Sequence, residues 1–101
     1  MEAQMTLISR RLKTHGNWRE QASFSQTVKE LFKSGKNWDQ LNDGQREALE
    51  MLAVKISRAL HGDHNYRDHW DDMVGYAQLG VDSCATSMPT VTLDLQEAMS
   101  Q

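Results

Sequence analysis

The chain has 101 residues, 39% hydrophobic and 25% charged, with a single proline and a single cysteine. That length supports one small domain of at most two packed layers, and the composition is too apolar for global disorder. Eleven basic against fourteen acidic residues leave a net charge of −3, so overall charge drives binding neither to a nucleic acid polymer nor to an anionic membrane.

The lone Cys84 excludes an internal disulfide and a thiolate metal cluster within one chain. Apolar runs are a few residues long and the start lacks a basic, then apolar, leader, so no membrane span is expected and a cytoplasmic location is.

From Glu2 to Lys13, apolar Met5, Leu7, Ile8 and Leu12 recur at helical intervals and predict a short amphipathic helix that His15-Gly16 ends. A second helix carries Phe24, Val28, Leu31 and Phe32, starts at Asn17 or Ser23, and stops at Gly35. "KNWDQLNDGQ" is a break in which Trp38 and Leu41 turn inward and Asn42 with Gln45 forms a capping box. The strongest helix follows from about Asp43 to His61, with Leu49, Leu52, Ala53, Ile56, Ala59 and Leu60 on one stripe and Gly62 at its stop.

After a short connection, Asn65 as N-cap with Asp68 as its reciprocal partner opens a helix that carries apolar Trp70, Met73, Val74, Ala77 and Leu79, with Trp70 and Met73 turned inward. So short a link makes these last two helices antiparallel neighbours. Gly75 inside that helix predicts a close helix or ligand approach. Residues 1–80 therefore read as an all-α domain, a compact bundle of about four helices with a central antiparallel pair. Residues 81–101 read as a tail, flexible or partner-covered, in which "TVTLDL" alternates like a strand with nothing to pair against.

The acids carry the candidate chemistry. Glu47 and Glu50 stand three apart on the main helix, and Asp68, Asp71 and Asp72 repeat that spacing on the next. Two facing helices with such carboxylates suit Mg²⁺ or Mn²⁺, hard ions that bridge to phosphates. Helix-start acids also gain from the macrodipole and from capping. If the turn centres near Asp63, Asp72 falls opposite Lys55 and Asp68 opposite Arg58, giving ion pairs in place of a metal. Both readings stay open at this point. His61, His64 and His69 match no zinc spacing and read as surface or capping residues, and Trp18 and Trp38 read as core anchors.

"EALEMLAVKISRALHGDHNYRDHWDDMVGYAQL", residues 47–79, resembles a small uncharacterised family found mostly in phages and prophages, through its Lys-Ile-x-Arg, Gly-Asp and Asp-x-Trp-x-Asp-x-x-Gly-Tyr elements. The resemblance is close over about a third of the chain and looser from His15-Gly16 onward. That pattern in turn resembles, distantly, the all-α nucleoside triphosphate pyrophosphatases of the MazG and dimeric dUTPase group. Their first motif is matched by Glu47-Ala48-Leu49-Glu50; in the second, Asp68-His69-Trp70-Asp71 has Asp in place of Glu.

The resemblance implies a phage-type nucleotide-binding protein, a Mg²⁺-dependent nucleoside triphosphate pyrophosphohydrolase with Glu47, Glu50, Asp68 and Asp72 as metal-holding and catalytic residues. Lys55 and Arg58 would then neutralise phosphate, and Trp70 or Tyr76 would face the base. The alternative is a non-enzymatic phage accessory protein that binds a host protein or a signalling nucleotide. In either case a chain this short is expected to complete its core as a homo-oligomer.

Overall fold

The computed structural model describes residues 2–84, with side chains from residue 7 onward, and every regular element among them is helical. Helix α1 spans Glu2–His15, α2 Trp18–Phe32, α3 Asp43–His61 and α4 Arg67–Asp82, with a 3-10 turn at Trp38–Gln40. Helix α4 runs past Gly80 by one half turn, and "TVTLDL" lies outside the described residues.

The local signals explain most boundaries. Asn17 caps α2 by accepting a hydrogen bond from the Glu20 amide at 3.2 Å, which settles the choice between Asn17 and Ser23. Asn42 and Gln45 form the reciprocal capping box at the start of α3, at 2.9 and 3.0 Å. The start of α4 differs from expectation. Tyr66 takes the cap position without a side-chain bond, and the Asn65 amide instead donates to the Asp63 carboxylate at 2.9 Å. Asp68 is therefore no capping-box partner, because the Asx turn at Asp63 brings the chain into the helix one residue later.

Helix α3 is the centre of the architecture. It packs against α4 and α2 and more lightly against α1, while α2 and α4 make little contact with each other. Its two neighbours lie on opposite sides. Ser57 donates to the Gln21 carbonyl of α2 at 2.6 Å, whereas Ala48, nine residues and about 180° away, meets Gly80 of α4. Along the α3–α4 pairing, Asn42 bonds the Ser83 carbonyl, Ala48 meets Gly80 and Lys55 meets Asp72.

Helices α2, α3 and α4 thus form a layer one helix thick, and such a layer buries little. Among the described residues the buried hydrophobic side chains are Ala48, Ala53 and Ala59, while Ile56, Leu60, Leu31 and Val74 are exposed. Trp18 and Trp70, both expected inside, are 65% and 53% exposed. Only Trp38 of the three tryptophans anchors packing, stacked on Phe32 with the Arg46 guanidinium over its ring.

The end of α1 is fixed to the α3–α4 connection by backbone. The Thr14 carbonyl accepts from the Asp63 amide at 3.2 Å and from Nε2 of His69, which is 1% exposed. His69 is thus a buried structural donor, contrary to the surface or capping role its sequence spacing indicates. Gly16, at φ 81°, and Gly62 let these two turns touch: a Cβ on Gly16 would meet the His61 carbonyl oxygen at 2.3 Å, and one on Gly62 the Thr14 oxygen at 2.2 Å. Gly75 has no such role, since nothing lies within 4 Å of a Cβ added there.

Candidate functional site

Helix periodicity places Glu47, Glu50, Met51, Val54 and Arg58 along one line of α3, at intervals of three, four, seven and eleven residues. On α2, Trp18, Gln21, Ala22, Ser25, Gln26 and Lys29 follow the same rule. These lines border a cavity of about 290 Å³ that Met51, Val54 and Arg58 line from the α3 side. No lining residue carries a carboxylate, while Arg58 and Lys29 are both cationic.

Two polar groups in this groove are buried without a partner. Ser25 is 4% exposed and its Oγ makes no hydrogen bond; the buried Nε of Arg58 makes none either. Groups in that condition ordinarily find a partner, because leaving one unmade costs on the order of 1–3 kcal/mol. Burial and the neighbouring Arg11 push the Arg58 pKa down, with Asp72 and Tyr76 opposing. An oxyanion would relieve both conditions by accepting from the guanidinium and offsetting its charge.

Beside the groove, Lys55 and Asp72 form the ion pair that the hairpin register predicts, at 2.8 Å. The Lys55 hydrogen bond holds the Asp72 carboxyl below its usual range. The companion expectation is not met: Asp68 interacts with the Tyr66 phenol, raising its pKa, while Arg67 pairs with Asp71 at 3.2 Å. His15, packed edge-on against His69 at 5.0 Å, is held at about 4 by burial, then by the charges of Arg11, Arg58, His69 and Lys55.

The four carboxylates of the metal reading do not gather. Asp72 is engaged by Lys55, and the register sets Asp68 level with Ala59, about 14 Å along the axis from Glu50. Among the described residues, no three His, Cys, Asp or Glu side chains form a group able to hold a metal ion. One chain's residues therefore do not fit a four-carboxylate Mg²⁺ site. Trp70 and Tyr76, the two rings offered as alternatives for the base, leave α4 on different sides, six residues and about 240° apart. Tyr76 borders the α3 side with Glu47 and Met51, while Trp70 donates from Nε1 to the His64 carbonyl at 2.8 Å.

Sequence reasoning singled out Arg58 but missed Ser25, Lys29 and Trp18 beside it. The only signal was an uninterrupted polar and small line on α2, which reads equally well as a solvated face. A scan against protein-family models, a search of curated proteins and a search of solved structures each return no match.

Proposed function

We propose that the α2–α3 groove binds a nucleotide, with its phosphate on Arg58 and Lys29 and its base against Trp18. The carrying observation is the pair of unpartnered buried groups, Ser25 Oγ and Arg58 Nε, in a cavity without a lining carboxylate. Trp18 takes the aromatic role that the resemblance implies for Trp70 or Tyr76, being exposed on the groove's rim. In this reading the chain is a four-helix unit with α3 and α4 as its antiparallel pair, and Lys55 serves Asp72 more than the phosphate.

Titrating the purified chain calorimetrically with a panel of NTPs and dNTPs tests the proposal. Arg58→Gln is expected to weaken binding about 10- to 100-fold and Trp18→Ala about tenfold. No heat and no thermal shift with any member at millimolar concentration would refute it.

Binding without turnover is the expected result and is that of a nucleotide-binding protein of the non-enzymatic kind; pyrophosphate release from any member of the panel would favour the pyrophosphohydrolase reading instead.

A further inference from the structure

We propose that the α3–α4 face opposite the Arg58 groove pairs with the same face of a second copy of this chain. The proposal is independent of nucleotide binding, since the groove opens on the other side of the layer.

Helix α4 carries Trp70, Val74, Ala77 and Val81 at intervals of four, three and four residues, the spacing of a seam between two helices. Helix α3 carries Leu49, Leu52, Ile56 and Leu60 at three, four and four. Neither stripe contains a charged residue. The α3 stripe lies about 90° from the line that faces α4, and the α4 stripe about 120° from the line that faces α3. Because the helices run in opposite directions, these rotations open to the same side. There Trp70, Val74, Val81, Ile56 and Leu60 are 53, 70, 47, 42 and 63% exposed.

The area is of the order an association needs. With about 100 Å² for an aliphatic side chain and about 200 Å² for Trp, these five leave roughly 330 Å² of apolar surface per chain, about three quarters of the roughly 450 Å² in one side of a standard interface. Leu49, Leu52 and Ala77 add to it. A second copy is the occupant the layer calls for. A helical domain closes its core by packing one layer on another; among the described residues no helix covers this face of α3 and α4, and its partner must present a long, uncharged, helix-spaced apolar face. The same face on a twofold-related chain has that length, spacing and lack of charge, and the pair would be a bundle with a shared core.

Light scattering on the eluting full-length protein, over a concentration series, tests this. The wild type is expected at twice 11.6 kDa. Val74→Lys and Leu60→Lys place a charge where each single chain is already open to solvent, so helicity by circular dichroism should persist while dimer dissociation constants rise about 100-fold or more. Leu79→Lys, on an exposed site of the other side of α4, should leave the dimer intact. A wild type that stays monomeric at high micromolar concentration overturns the proposal, whatever else covers the face. So does a dimer that survives both stripe substitutions, or one that Leu79→Lys disrupts equally.

Discussion

Gly16→Ala tests whether the contact between the two turns organises the fold. Two costs follow from the geometry. At φ 81° any L-residue sits in the left-handed region, worth about 1 kcal/mol against glycine. The added Cβ would also lie 2.3 Å from the oxygen and 2.5 Å from the carbon of the His61 carbonyl, both backbone atoms that no rotamer change can move. Relieving that overlap means shifting the α1–α2 junction away from the α3–α4 junction, an overpacking cost of about 1–3 kcal/mol. The shift would also strain the bonds that Asp63 and His69 make to Thr14. Together the loss is about 3 kcal/mol, or a melting temperature lower by roughly 15 °C for a chain of this size. Urea unfolding followed by circular dichroism, alongside a thermal melt, measures it. A loss below about 1 kcal/mol would mean that only the backbone conformation matters and that the two turns do not touch.

Other perturbations have definite signs. Gly75→Ala meets no atom and should stabilise α4 by about 0.5–1 kcal/mol in the same urea experiment; destabilisation would reveal a contact at that site. Removing the Lys55 ammonium with Lys55→Met should let the Asp72 pKa rise toward its ordinary value of 3.8, read by NMR titration of the carboxyl carbon, and an unchanged titration would dismiss the ion pair. For His15, the folded pKa of about 4 lies below the ordinary 6.5, so between those values the unfolded chain binds the extra proton. Stability from this group is complete above pH 6.5 and is lost as pH falls toward 4; His15→Asn should flatten that part of the stability profile, and an equally steep profile in the variant would place the transition elsewhere.

Much of the secondary structure was legible along the chain because its causes are local. Apolar residues at helical spacing mark α3, the Asn42 and Gln45 side chains cap it within one turn, and Gly62 follows its end. The Lys55–Asp72 pair was also within reach, since a short link between two regular helices sets their register by geometry. That register in turn holds Asp68 away from Glu50, which the spacing of the acids along each helix does not reveal.

Which apolar face is covered depends on segments far apart in sequence, and here local reading fails. Trp18, Trp70, Ile56 and Leu60 have the pattern of core residues, yet among the described residues the main neighbours of α3 are α2 on one side and α4 on the other, and these side chains stay open. His69 is buried because the turn after α1 arrives beside it, 55 residues away, with a carbonyl to satisfy. Ser25 and Arg58 border one groove for the same reason, on two helices whose separate periodicities say nothing of each other. Periodicity determines that these helices form and which side of each is apolar; the contacts between distant segments decide which of those sides is left for a ligand or a second chain.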